Sequence, residues 1–238
     1  MTLITFLPHR QVLAQIGDIE IRWYGLMYAI AFWAAWWLLP RLQWWRGIAM
    51  SRSRWTEMVA WGSVGALIGG RIGYAILYEP GFFAAHPLEL FAYWRGGMSS
   101  HGGFIGAGLL LWWQTRRLSL TEKMSIADIS TIPVSIGLAL GRVGNFINGE
   151  LFSGHAALYA AGANVAIAAL LSIMLRKQAG SAGFMVGTFF VLYSAQRMLL
   201  ETFRTIDTLI AADLTLGQLY TVPLLGLGVF FLVKSYYC

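Results

Sequence analysis

The chain alternates between long apolar blocks and short polar stretches, and the blocks are the length a helix needs to cross a bilayer core. Seven of them stand out, at roughly 21–40, 57–78, 98–115, 128–148, 157–175, 183–202 and 215–234. The fifth, "ALYAAGANVAIAALLSIML", is the least polar, and the second and fourth are rich in glycine. The pattern predicts an all-α membrane protein of seven transmembrane helices, forming a single integral domain over residues 1–238. The N-terminus lacks a basic region leading into an apolar run and a small-residue cleavage site. The first span is therefore expected to start insertion itself, without a cleaved signal peptide.

Composition agrees with that class. The 238 residues are 58% hydrophobic and 12% charged, with a mean hydropathy of +0.61. Soluble domains carry about 25% charged residues, so this chain has about half the usual supply for a water-facing surface. The net charge of +6 raises the possibility of a nucleic-acid partner, but the placement of the charges argues against one. Arg41, Arg46, Arg52, Arg54, Arg116, Arg117, Lys123, Arg176, Lys177 and Lys234 all fall in or beside the loops after spans one, three, five and seven. Basic loops mark the cytoplasmic side. The expected topology has the N-terminus outside and the C-terminus in the cytoplasm, as in a multi-pass protein of a bacterial inner membrane. The sole cysteine, Cys238, then ends the chain on the cytoplasmic side and has no partner for an internal disulfide.

Beyond those loop charges, Arg71, Arg142 and Arg197 fall within or at the edges of spans two, four and six. These spans all run outward, and each arginine sits in the outer half of its span. A guanidinium at a helix centre costs about 2.5–3.5 kcal/mol on insertion scales, less where it can reach the interface, and intramembrane charges default to functional roles. Arg142, Asn145 and Gly149 are spaced i, i+3 and i+7, on one helix face, and Asn148 and Glu150 close the same stretch. Tyr193, Arg197 and Arg204 share a face of span six, with Glu201 one turn beyond Arg197. His101 opens span three, and Arg22 and Tyr24 open span one. The ring of Arg, His, Asn, Tyr and Glu at one depth predicts a pocket for an anionic lipid headgroup, because arginine suits bidentate phosphate recognition. The alternative is structural, since buried Arg–Glu pairs also join helices.

Other motifs are expected to be structural. Gly65, Gly69 and Gly73, like Gly137 and Gly141, repeat at i+4 and should allow close helix contact. Gly102 and Gly103 could do the same or could let a substrate approach the backbone. The tryptophan runs "WAAWW" and "WWR" read as interface anchors. Beside several arginines, the His101 imidazole is expected to stay neutral and able to accept a proton.

Five blocks, in order, resemble the prolipoprotein diacylglyceryl transferase family: "RWYGLMY" (22–28), "GGRIGY" (69–74), "GGMSSHGGFIG" (96–106), "GRVGNFINGE" (141–150) and "RMLLETFR" (197–204) with the later "LGQLYTVP". That family has seven spans with the N-terminus outside. The resemblance implies transfer of the diacylglyceryl group of phosphatidylglycerol to the thiol of a lipobox cysteine in an exported prolipoprotein. Glycerol phosphate is released, and no metal or organic cofactor takes part. By position, Arg142 and Arg197 would hold the phosphate as the C–O bond breaks, and His101 would help to deprotonate the thiol. Tyr24, Arg71, Gly102, Gly103, Asn145, Asn148, Glu150, Tyr193, Glu201 and Arg204 would line or orient the substrate site. The enzyme is expected to act as a monomer, with its site facing outward.

The chain also departs from the family pattern. Ser153 intervenes before Gly154, and "GHAALYAA" stands where relatives carry an extended extracytoplasmic arm. His155 and Tyr159 remain, while Ala156, Leu158 and Ala160 replace the arm's closing proline, glutamine and glutamate. A transferase of this family with another acceptor is therefore one alternative. A non-enzymatic lipid scramblase or maturation partner is another, although polar residues gathered at one depth suit a site better than a full-thickness passage.

Overall fold

A computed structural model of the chain describes residues 12–16, 19–93, 96–149, 155–201, 209–211 and 214–237. Eight α-helices lie among them. They are α1 (Trp23–Leu42), α2 (Arg52–Leu77), the short α3 (Pro80–Ala85), α4 (Ser100–Thr115), α5 (Leu120–Asn148), α6 (Ala156–Arg176), α7 (Phe184–Glu201) and α8 (Leu216–Tyr237). The seven longer ones fall on the seven apolar blocks. Three of them, α2, α5 and α6, are each long and apolar enough to cross a membrane. Large apolar side chains cover the outside: Trp33, Ile105, Leu109, Trp112, Val165 and Phe230 are all more than half exposed. Exposed apolar side chains in such number belong in lipid.

The chain divides into two compact units, residues 1–49 with 120–238 and residues 50–119. In the first, α5 is central, packing against α1, α6 and α7, and α7 also packs against α8. Its fully buried side chains include Ile129, Leu171, Leu175 and Met185. Two small antiparallel ribbons lead into helices of this unit. The strands β1 (Val12–Ile16) and β2 (Ile19–Arg22) precede α1, and β3 (Leu209–Ala211) and β4 (Leu214–Thr215) precede α8. These strands are an addition to the all-helical expectation. At two to five residues each, they are too short to leave a pattern beside twenty-residue apolar blocks.

The second unit is built on close contact between α2 and α4. A Cβ on Gly65 or Gly69 would run into the main chain of Gly106 or Gly102, and one on Gly73 would meet Gly102 Cα. The converse holds for Gly102 and Gly106, which face the carbonyls of Gly69 and Gly65. The i+4 glycines of span two therefore do bring helices together, and Gly102 is occupied in the same contact. Gly137 packs likewise, its Cβ position lying 3.3 Å from Ala31 Cβ. Gly141 requires a correction, because nothing lies within 4 Å of its Cβ position. It borders a small cleft instead of a helix seam.

A second correction concerns "WWR". Trp44 and Trp45 are exposed, as anchors should be, but Arg46 turns inward. Its Nη2 lies 3.1 Å from an Asp128 carboxylate oxygen, and Nη1 donates to Gly180 O at 2.8 Å. Asp128, itself 0% exposed, also accepts from the backbone N–H groups of Gly183 and Val186, each at 3.0 Å. The carboxylate thus caps the start of α7 and ties it to α5 and to the turn after α1.

Candidate functional site

Near the end of α5, three predicted residues form one chain of hydrogen bonds. Arg142 Nη1 donates to Asn145 Oδ1 at 3.2 Å, and Asn145 Nδ2 donates to Tyr24 Oη on α1. The first link follows from helical spacing, one turn apart on one face. The second joins residues 121 positions apart and needs α1 packed against α5. Gly144 permits that approach, since the Tyr24 ring stands 3.6 Å from its Cβ position. Asn145 is 2% exposed. Its amide is held at both ends, which fixes the Arg142 guanidinium in direction. Below this chain, Tyr24, Met27, Tyr28, Gly137 and Gly141 line a cleft of about 10 Å³, room for a single water. The open side of Gly141 serves that cleft.

On α7, Arg197 Nε lies 3.1 Å from Glu201 Oε2, whose carboxylate is almost wholly buried. The pair spans one turn, as its spacing predicts. This bond engages Nε and leaves both terminal nitrogens of Arg197 without a protein partner among the described residues. Tyr193, one turn earlier, stacks on Phe189 with ring centroids 5.7 Å apart. Arg142 stands six residues from the end of α5 and Arg197 four from the end of α7. At 1.5 Å per residue these depths differ by about 3 Å, and α5 and α7 pack against each other. The two arginines therefore belong to one end of the same unit.

Arg71, in the other unit, is differently placed. It is 3% exposed, and all five of its N–H donors are engaged by main-chain carbonyls of one segment. Nε donates to Leu90, Nη1 to Gly96 and Gly97, and Nη2 to Glu89 and Ala92. A phosphate would have to displace one of those carbonyls. The geometry matches the structural alternative for this arginine, which organises the loop between α3 and α4. Ser99 caps α4, its hydroxyl accepting from Gly102 N at 3.3 Å. His101 is the second residue of that helix, and its side chain lies outside the described residues, as do Glu150 and Arg204. Gly103 faces Ala66 O, 3.3 Å from its Cβ position.

Asn148 is the last residue of α5, and Gly149 follows in the left-handed conformation, φ 66°. Gly149 therefore ends the helix rather than continuing the Arg142 face, a correction to the i+7 placement. His155 stands just before α6, stacked on Phe146 at 5.9 Å, and Tyr159 is 69% exposed. Sequence reasoning missed Asp128 and Tyr28. The signal for the first was an aspartate inside an apolar helix.

The chain is a helical membrane protein with an arginine–asparagine–tyrosine chain at one end of a bundle and a second arginine at similar depth. Comparison with known proteins makes this specific. The profile of the family described as prolipoprotein diacylglyceryl transferase matches residues 11–234. A relative from Geobacter sulfurreducens, named phosphatidylglycerol–prolipoprotein diacylglyceryl transferase, is 34% identical over 93% of this chain and 94% of its own. Relatives of the same name from Cupriavidus metallidurans and Photobacterium profundum are each 34% identical, covering 94% and 98% of this chain and 93% and 96% of theirs. The chain belongs to the prolipoprotein diacylglyceryl transferase family, and is a membrane-bound transferase.

Proposed function

We propose that this protein transfers the diacylglyceryl group of phosphatidylglycerol to the thiol of a lipobox cysteine in an exported prolipoprotein. Family membership across nearly the whole chain is the observation that carries this reading. The thiol proton passes to His101. The thiolate then attacks the glycerol carbon that bears the phosphate ester, a C–S bond forms, and the C–O bond breaks. Glycerol phosphate leaves with the bonding pair on oxygen. The Arg142 guanidinium, directed by Asn145 and Tyr24, and the terminal nitrogens of Arg197, backed by Glu201, neutralise the charge growing on that phosphate. Tyr193, Asn148, Glu150 and Arg204 complete the site, and Gly102 and Gly103 follow His101 in the family motif assigned to the same reaction. The Arg71 contacts support a role in holding the loop between α3 and α4.

The protein acts as a monomer, one integral domain of seven spans in a bacterial inner membrane, with its N-terminus and active site outside. The alternating basic loops support this orientation. Reporter fusions after Arg52, Lys123 and Lys177 are expected to read cytoplasmic, and those after Pro80 and Asp207 external. An external reading at Lys177 would break the seven-span arrangement.

The reaction itself is tested with purified protein, phosphatidylglycerol and a lipobox peptide. Mass spectrometry should show one diacylglyceryl group on the cysteine peptide and none on its Cys→Ser version. A serine hydroxyl is far harder to ionise than a thiol of pKa about 8.5. A second acceptor class is favoured by one observation. The Geobacter alignment runs over 244 positions, more than the 238 residues of this chain, so that relative carries internal residues absent here. Release of glycerol phosphate with neither peptide modified would select that reading. Lipid movement between leaflets without any release would select a transport role.

A further inference from the structure

At the Arg54 end of the α2–α4 pair lies a cavity of about 300 Å³ that the transfer reaction does not use. We propose that it binds the phosphate headgroup of an anionic phospholipid, as a second lipid site in the leaflet opposite the reaction. The leaflet assignment rests on the orientation proposed above; the cavity and its chemistry do not.

Three arginines surround the cavity: Arg54 in the first turn of α2, and Arg116 and Arg117 just past the end of α4. Arg54 divides its donors between Glu57 Oε2 and the main-chain carbonyl of Gln114, both at 2.7 Å. Glu57 is the one acidic residue in the lining, so two positive charges remain in excess. The Arg116 guanidinium lies over the Trp113 ring, 4.7 Å from its centroid. Arg117 is exposed and has no hydrogen-bond or ion-pair partner among the described residues.

The lining also contains a buried amide. Gln114 is 7% exposed, and neither polar atom of its carboxamide has a hydrogen-bond partner among the described residues. Buried amides are nearly always satisfied, so an orphan beside a cavity indicates where a ligand oxygen belongs. Basic loops that only set topology would not need to enclose a void or bury an amide. Trp61 and Trp113 form an edge-to-face pair at 6.5 Å, each nearly half exposed. They give the cavity an apolar wall along which acyl chains can run. Cations, an amide and a tryptophan wall together fit a molecule with a phosphate at one end and hydrocarbon at the other. Arg54 and Arg71 are 17 residues apart on α2, about 25 Å along the axis. That distance puts the cavity near the other membrane surface from the loop Arg71 holds.

The test uses the full chain in phosphatidylcholine nanodiscs doped with a phosphatidylglycerol carrying a photoreactive group near its headgroup. Crosslinked peptides are mapped by mass spectrometry, which separates this site from the one bearing Arg142. Labelling is expected in residues 52–61 and 113–117, falling about tenfold in the Arg116→Gln/Arg117→Gln double variant. Both side chains are exposed, so this variant should fold. Gln114→Leu should also lower it, while peptides bearing Arg142 keep their label. Equal labelling by a phosphatidylcholine probe, or wild-type labelling of the double variant, would overturn the proposal. Loss of the label to millimolar soluble glycerol phosphate would reassign the cavity to a free phosphate ester. Absence of label at Arg142 alone would count against the transfer site and leave this one standing.

Discussion

Replacing Arg142 by alanine is expected to lower diacylglyceryl transfer by about 10²-fold or more while leaving the protein inserted in the membrane. In the proposed reaction this guanidinium stands where phosphate charge develops. Lysine should restore little of the rate, because a point charge cannot reproduce a planar fork held by Asn145. Asn145→Ala should have a smaller effect, about tenfold, since it directs Arg142 and does not itself meet the phosphate in full. The measurement is the initial rate of lipobox-peptide modification, normalised to the amount of inserted protein. A wild-type rate for Arg142→Ala would place the headgroup elsewhere.

A comparably large effect, on stability rather than rate, is expected at Asp128. Asp128→Ala leaves the Arg46 guanidinium without its buried counter-charge, held only by the carbonyls of Ala179 and Gly180, and leaves two backbone N–H groups without their acceptor. Breaking a buried pair in this way destabilises by about 3–5 kcal/mol. Asp128→Asn should lose less, because its amide oxygen can still accept one N–H at the start of α7. Replacing both partners together, Asp128→Leu with Arg46→Leu, should recover much of the loss, since no charge is then left alone. Thermal unfolding in detergent reads all three. An unchanged midpoint for Asp128→Ala would mean that the network contributes nothing to holding α7.

The difference between these two networks explains what was legible in the sequence. Helices crossing a membrane satisfy their own backbones, so length and apolarity alone located the seven long elements. Contacts within a turn were equally legible, and Arg142 with Asn145 and Arg197 with Glu201 stand as their spacing requires. Contacts that join distant segments were not. Nothing local connects Asn145 to Tyr24 or Arg46 to Asp128, and Tyr24 was singled out only by its level at the start of span one, without its partner. Asp128 was missed for a further reason. A block starting at residue 128 makes it a boundary residue, whereas α5 begins eight residues earlier, at Leu120. Arg71 shows another limit, since its position in the chain could not reveal that main-chain carbonyls occupy its donors.

Arg71 holds its loop by carbonyls alone, and a carbonyl is the same whatever side chain it accompanies. The clasp itself therefore does not specify the side chains at residues 89, 90 and 92, although Ala92 is buried and must stay small. Gly96 and Gly97 are the exceptions. Both have positive φ, and a Cβ on Gly97 would strike Tyr74 and Arg71 itself. The loop thus combines a fixed path with a text that the clasp leaves partly open. Exposed positions such as Leu88 and Phe91 can be rewritten one at a time while the arginine keeps its hold on the main chain.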